Sequence, residues 1–403
     1  MEWDVVPGGI TAPRGFRAAG VHAGLKKTKK DLALIVSDNP AAAAAVYTTN
    51  RVQAAPLVVT REHLAGGYAR AVVVNSGNAN ACTGEQGLRD ARFMAEITAR
   101  EVGCRPGEVV VASTGVIGVP LPMDKVAAGI RQAARELSGA GSREAAEAIM
   151  TTDRRIKEIA VRFNLGGREA TIGGIAKGSG MIHPQMATML AFLTTDAEIA
   201  PDELKKALVA AVDATFNMVT VDGDTSTNDM VVILANGQAG VGPKEERERA
   251  LFAAALEYVC RYLARLIARD GEGATRLIEV EVHGARTRED ARTIARAIAR
   301  SNLVKSAVHG ADANWGRILC AAGYSGADLD PDKVDIFIQS PAGLEQLAAG
   351  GRPLPFSEEK AREILSAEEV KILVHLNQGR AAAEAYGCDL TCEYVTINAS
   401  YRT

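Results

Sequence analysis

Lys177-Gly178-Ser179-Gly180-Met181-Ile182-His183-Pro184-Gln185-Met186-Ala187-Thr188-Met189-Leu190 is the stretch of this 403-residue chain with the most unusual chemistry. Glycines, a serine and a proline crowd ahead of an apolar, strand-like run from Met189 to Leu193. Thr188 stands at the junction between irregular and regular chain. A threonine hydroxyl is a poor nucleophile unless the residue is N-terminal, when its own α-amine can act as the base. That amine titrates at about 7.7 to 8, so a useful fraction is unprotonated near neutrality. An internal threonine reaches that state only by scission of the bond before it. The Thr188 hydroxyl would attack the Ala187 carbonyl, an ester would form, and water would hydrolyse it. Flexible glycines permit the geometry that such a step needs. By spacing alone, a glycine-rich turn feeding a buried strand, with Thr188 a routine strand residue, is the better explanation of the pattern.

The elements that must position this segment read as mixed α and β. Strand-like runs fall at 71–74, 109–112, 230–234, 277–282, 334–338, 372–376 and 394–397. Residues 156–176 read as a hairpin turning at Gly166-Gly167, with Ile159, Val161, Phe163 and Leu165 alternating. Helical spacing covers 124–137, 201–215, 245–268, 288–301 and 357–365. The second of these opens on Pro201, Asp202 and Glu203, and the last has Ser357 as N-cap. Strands and helices come in runs as well as singly, which predicts a layered α/β body with mixed sheets over a doubly wound parallel sheet. Ser138 to Ser142 reads as a loop or short linker.

Composition narrows the function classes. The chain is 47% hydrophobic and 24% charged, with a mean hydropathy of +0.00, as in ordinary globular proteins. Aromatics supply only 4%, so Ala, Val, Leu and Ile must build the core. Lys and Arg number 46 against 49 Asp and Glu, a balance with no footprint for nucleic acid or an anionic membrane. The N-terminal residues lack the basic start and apolar run of a signal peptide, and no window of 18 uncharged apolar residues occurs. The six cysteines form no CxxC pair. Cys388 and Cys392, placed in one strand, could face one side, but two sulfurs make no metal site. Reduced thiols in a cytoplasmic protein are the expectation.

Beyond these patterns, the run from Lys177 to Asp196 resembles the processing-site signature of the ornithine acetyltransferase (ArgJ) family. The resemblance spans almost the whole chain. It includes Asn75-Ser76-Gly77-Asn78-Ala79-Asn80-Ala81, Ser113-Thr114-Gly115-Val116-Ile117-Gly118, Met150-Thr151-Thr152-Asp153 and Asn228-Asp229. Asp270-Gly271-Glu272-Gly273-Ala274-Thr275, Asn314-Trp315-Gly316-Arg317-Ile318 and Ile397-Asn398-Ala399-Ser400-Tyr401-Arg402-Thr403 continue it in order.

The resemblance implies an α/β (α+β) fold, a layered αββα-type sandwich with mixed sheets and a smaller αβ lobe from roughly residue 285 to 403. It implies self-cleavage between Ala187 and Thr188 into chains 1–187 and 188–403 that stay together as an α2β2 heterotetramer. The implied reaction belongs to arginine biosynthesis: acetyl passes from N-acetyl-L-ornithine to Thr188 and then to L-glutamate, in a ping-pong scheme. Thr114 and Gly115 match the family's oxyanion hole. Lys177, Glu272, Asn398 and Thr403 match substrate contacts, as does Thr151 or Thr152, adjacent threonines between which the sequence does not choose. Thr188 itself both binds and reacts. The resemblance implies no metal and no resident cofactor, and some members take acetyl-CoA as a co-substrate, although no glycine-rich phosphate cradle is visible here. An N-terminal-nucleophile amidase or aminopeptidase, with water as acceptor, is the nearest alternative. His183, five residues before Thr188, is read as a loop residue and not as a base. His309 and Asp312 are read as structural.

Overall fold

A computed structural model describes residues 2–183 and 189–400. The Ala187–Thr188 bond and Thr403 lie outside the described residues. Within them the chain is mixed α/β, with two mixed sheets flanked by helices.

The main body is built on a nine-stranded sheet folded over on itself. The long strand Leu32–Tyr47 makes the fold possible. Its first half pairs with Phe16–Val21 and Tyr68–Asn78; a register shift follows between Val36 and Ala41; its second half pairs with Met230–Ala235. Period-two alternation then sorts the side chains into layers. Ala33, Ile35, Ala41, Ala43 and Ala45 point inward, to a central core shared with Val72, Val74, Phe192 and Val232. Leu32, Leu34 and Val36 point outward, under the helices Gly84–Val102 and Met123–Arg135. Ala42 and Ala44 point the other way, under Pro201–Ala214 and Glu246–Arg269. The result is helix, sheet, sheet, helix, with both inner layers cut from one sheet. Alanine is common in the strand because two sheet layers must pack closely over it.

The expected hairpin is present, with Lys157–Leu165 antiparallel to Arg168–Lys177. The next strand, Leu190–Thr195, pairs with Arg168–Lys177 on one side and lies parallel to Met230–Ala235 on the other. The segment containing Thr188 therefore joins two neighbouring strands of the inner layer.

The second sheet has six strands, and the first of them in sequence, Leu277–Ala285, starts eight residues before residue 285. Leu277–Ala285 and Glu369–His375 are parallel; the other pairings are antiparallel. Helices Arg288–Arg300, Asn302–His309 and Glu358–Leu365 cover one face. The other meets Glu246–Arg269 through charge: Arg261 with Glu384, Arg265 with Glu279, and Arg269 with Glu369.

Three local readings are corrected. Residues 394–397 are not a strand but part of the helix Cys392–Ser400. The β-branched run Tyr394-Val395-Thr396-Ile397 favours a strand locally. Thr391 overrides it, accepting a hydrogen bond from Tyr394 N at 3.3 Å while its hydroxyl donates to Gly273 O at 2.8 Å. Cys388 and Cys392 accordingly do not share a strand: Cys388 is buried at a strand end and Cys392 is exposed at the helix start. Ser142 is also no linker residue. It opens the helix Ser142–Ala148 and its hydroxyl donates to Glu158 at 2.7 Å.

Candidate active site

Thr114 and Gly115 lie near the end of Val109–Val116, a strand parallel to Tyr68–Asn78. Gly77 pairs with Gly115, whose φ of +132° lies in the region that favours glycine. A methyl group there would overlap the Gly77 carbonyl carbon and Asn78 N. Asn228 ties this corner together, donating from Nδ2 to Ala79 O at 2.7 Å and to Ser113 O at 2.8 Å. The dense asparagines do turn chemistry: Asn80 N donates to Asn78 Oδ1 at 2.8 Å, and Asn75 Oδ1 accepts from Ser113 Oγ.

Thr114 and Gly115 open onto a cavity of about 370 Å³. Thr151, Thr152, Lys177, Glu272 and Asn398 line the same cavity. Seven positions spread from 114 to 398 are thus brought together, and both threonines of the adjacent pair face it. Thr188, Ala187 and Thr403 fall outside the described residues. Met189, which follows Thr188 in the chain, is buried and its N–H donates to Asp229 Oδ1 at 3.0 Å.

The wall bearing Lys177 rests on a buried ion cluster. Lys157, 1% exposed, places its Nζ 2.7 Å from Asp153 Oδ1 and 2.6 Å from Asp270 Oδ2. Lys177 Nζ lies 3.9 Å from Asp153 Oδ2. Two cations and two anions thus share a water-poor space. Burial opposes every charge, but Lys157 and Lys177 outweigh it at Asp153 and hold that carboxyl well below its ordinary value. At Lys177 burial wins over Asp153 and lowers the pKa. Asp153 also accepts Gly178 N–H at 2.7 Å, and Asp270 accepts the N–H groups of Arg154 and Arg155. The cluster therefore fixes the backbone on both sides of the cavity wall.

Glu272 follows the end of Glu246–Arg269. Its N–H donates to Ser179 O at 2.9 Å. A Cβ on Gly180 would strike the Glu272 carboxylate, so a side chain there would displace that group from its place in the cavity. Asn398 Nδ2 donates to Glu272 Oε2 at 2.8 Å. Tyr394 and Asn398, four apart on Cys392–Ser400, both face the cavity. Burial, with Asp222 and Glu272 nearby, pushes the Tyr394 hydroxyl well above its ordinary pKa.

Sequence reasoning missed several wall residues: Asp222, Asp224, Thr225, Ser226, Thr227 and Tyr394. Asp222 anchors the glycine-rich segment, accepting Met181 N at 2.6 Å and Ile182 N at 2.9 Å. The run Asp222-Gly223-Asp224-Thr225-Ser226-Thr227 is dense in turn formers, a signal that was available. His183 contacts Thr220 at 3.3 Å, and burial together with Arg300 and Arg296 lowers its pKa to about 4. It is neutral near pH 7. His309 pairs with Asp389 at 2.9 Å, away from the cavity lining.

No helix of the described residues is long and apolar enough to cross a membrane. The chain matches the model described as the ArgJ family over residues 17–403. It is 57% identical over 409 aligned residues to the arginine biosynthesis bifunctional protein ArgJ of Symbiobacterium thermophilum, covering 100% of both chains. It is 50% identical to the protein of that name from Bacillus subtilis, covering 99% of this chain and 97% of the other. A crystal structure of arginine biosynthesis bifunctional protein ArgJ from Bacillus halodurans is 49% identical with a TM-score of 0.50. That match covers 52% of this chain and 98% of the solved one. A match over nearly the full length, at this identity, means that the chain belongs to the ArgJ family.

Proposed function

We propose that this chain cuts itself between Ala187 and Thr188 and then transfers acetyl from N-acetyl-L-ornithine to L-glutamate, with acetyl-CoA as a second donor. One observation carries the reading: Thr114, Gly115, Lys177, Glu272 and Asn398, distant in sequence, line one small cavity. The half-length match to the Bacillus halodurans structure supports the scission, since a chain from Thr188 to the end would hold 216 of the 403 residues.

In processing, the Thr188 hydroxyl adds to the Ala187 carbonyl, the C–N bond breaks, and the freed amine leaves an ester that water hydrolyses. In transfer, the hydroxyl adds to the acetyl carbonyl of acetylornithine. Its proton passes to the Thr188 α-amine and on to the departing α-amine of ornithine. The acetyl group remains as an ester on Thr188. The α-amine of glutamate then attacks that ester; the new amide of acetylglutamate forms as the ester C–O bond breaks, and the proton lost by the amine restores the Thr188 hydroxyl. The Thr114 hydroxyl and Gly115 N–H donate to the oxyanion in each tetrahedral intermediate. Glu272 offers a carboxylate to the side-chain ammonium of ornithine, and Lys177 a cation to a substrate carboxylate. One cavity serves both half-reactions because donor and acceptor are α-amino acids used in turn. The two cleaved chains stay together, as an α2β2 assembly in the cytoplasm.

Assay of purified protein with acetylornithine and glutamate tests the reading. Ornithine and acetylglutamate formed in equal amounts support it; ornithine released without glutamate would indicate water as the acceptor and overturn it. Thr114→Ala removes one oxyanion donor and should lower kcat by about 10²–10³-fold, or about 2.7–4 kcal/mol in the barrier. Steady-state kinetics on fully processed protein check this, and an unchanged kcat removes Thr114 from the oxyanion site.

A further inference from the structure

A lysine-rich loop stands against the cavity wall and takes no part in the chemistry above. Lys26, Lys27, Lys29 and Lys30 fill four of five consecutive positions. Such a run is ordinarily a loose solvated turn. Here the fully buried Asp31 carboxylate gathers four backbone N–H groups, from Ala23, Gly24, Leu25 and Lys26, at 2.6 to 3.1 Å. Asp31 O also accepts Ser76 N at 2.8 Å. The loop is therefore a built feature, organised by Asp31, which takes these backbone amides and lies 3.4 Å from His22 Nδ1.

It is also tied to the site. Lys26 turns inward and donates from Nζ to Lys30 O and to Met150 O, the residue before Thr151 and Thr152. Lys26 Cγ lies 3.3 Å from where a Cβ on Gly77 would sit, and Gly77 pairs with Gly115. Lys30 pairs with Glu147 at 3.2 Å. Lys27 and Lys29 are exposed and have no ion pair among the described residues. Arg154 and Arg155, following Thr152 and Asp153, add two more exposed cations without one. In a chain of net charge −3, this places local positive charge beside a cavity lined by Asp222, Asp224 and Glu272.

We propose that Lys27 and Lys29 bind the phosphate groups of a phosphorylated acetyl thioester, the class to which acetyl-CoA belongs, while its acetyl end enters the cavity. The inference rests on the two-donor reading above and adds to it where the second donor is held. Ammonium groups on flexible stems suit phosphates as point charges. Asp31 occupies the N–H groups of Ala23, Gly24, Leu25 and Lys26, and the phosphate contacts are assigned to the exposed ammonium groups that follow them. Exposed cations outside the cavity suit a ligand whose anionic end is joined to its acyl end by a long arm. Acetylornithine has neither arm nor phosphate, so the loop discriminates between donors.

The test is the double variant Lys27→Glu/Lys29→Glu in the full, processed protein, with glutamate as acceptor and three donors. These are acetyl-CoA, S-acetylpantetheine, which lacks the phosphates, and acetylornithine. The KM for acetyl-CoA should rise by about tenfold or more, as expected for losing two exposed charge contacts and reversing their sign. The other two donors should be unaffected, and Lys27→Arg/Lys29→Arg should retain the parent KM. An unchanged KM for acetyl-CoA overturns the phosphate site and leaves the two-donor reading standing. Equal loss with all three donors also overturns it, since the loop would then act on the site as a whole. A parent enzyme that uses acetylornithine but not acetyl-CoA overturns both.

Discussion

Thr188→Ala should accumulate as an uncut 403-residue chain with no measurable acetyl transfer. In the proposed scheme the hydroxyl is needed twice, first against the Ala187 carbonyl and then against the acetyl donor, so one substitution should block both steps. Loss of a covalent nucleophile from an acyl-transfer site costs on the order of 10⁶-fold in kcat. Thr188→Ser keeps a hydroxyl and should still yield some cleaved protein. Intact mass and acetyl-transfer rate on the same preparation read the two steps together. An Ala variant that is cleaved and active at the parent rate contradicts the assignment.

Lys157→Met should be the most damaging change away from the nucleophile. It leaves Asp153 and Asp270 buried with only the more distant Lys177 opposite them. Removing one partner from a buried ion cluster costs about 3–5 kcal/mol, because the remaining charge cannot be solvated. Asp153 holds Gly178 and Asp270 holds Arg154 and Arg155, so the loss should also slow processing. Urea denaturation measures the first effect, and the fraction of cleaved chain measures the second. A loss below about 1 kcal/mol, as for an exposed pair, would mean that the cluster contributes little.

The same cluster sets an acid limit. Asp153 is held below its ordinary pKa, with burial opposing and the two lysines prevailing. Its contribution is complete above the unfolded value of about 3.9 and is lost as pH falls below it, towards the lower folded value. Stability from this carboxylate should therefore be flat near neutrality and fall on the acid side. Lys157→Met should flatten that acid-side slope.

Much of this architecture was legible in local patterns. The hairpin at Gly166-Gly167 was visible because alternation and turn chemistry agree there. The helix Glu246–Arg269 was visible because its apolar spacing is regular over six turns. The long strand Leu32–Tyr47 was not read: its second half is a run of alanines, which has weak strand preference and is explained only by the layers on either side. The helix Cys392–Ser400 was misread for the opposite reason, since local preference pointed to a strand and a tertiary cap decided otherwise.

The cavity residues followed a similar division. Thr114, Gly115, Lys177, Glu272 and Asn398 sat in motifs distinctive enough to match residue by residue. Lys157 and Asp270 act through charges that meet only in the fold, 113 positions apart, which no spacing rule can reveal. Asp153 and Asp270 were both part of matched motifs, but their work became visible only with the lysines around them.

The central claim is that Thr188, once N-terminal, carries the acetyl group. Processed protein should be mixed with acetylornithine in the absence of glutamate, quenched in acid, and each chain weighed by mass spectrometry. The chain that begins Thr-Met-Leu-Ala-Phe should be heavier by one acetyl group, and fragmentation should put that group on its first residue. Adding glutamate before the quench should remove it. An active preparation in which no chain begins at Thr188, or in which acetyl accumulates on another residue, would contradict the account.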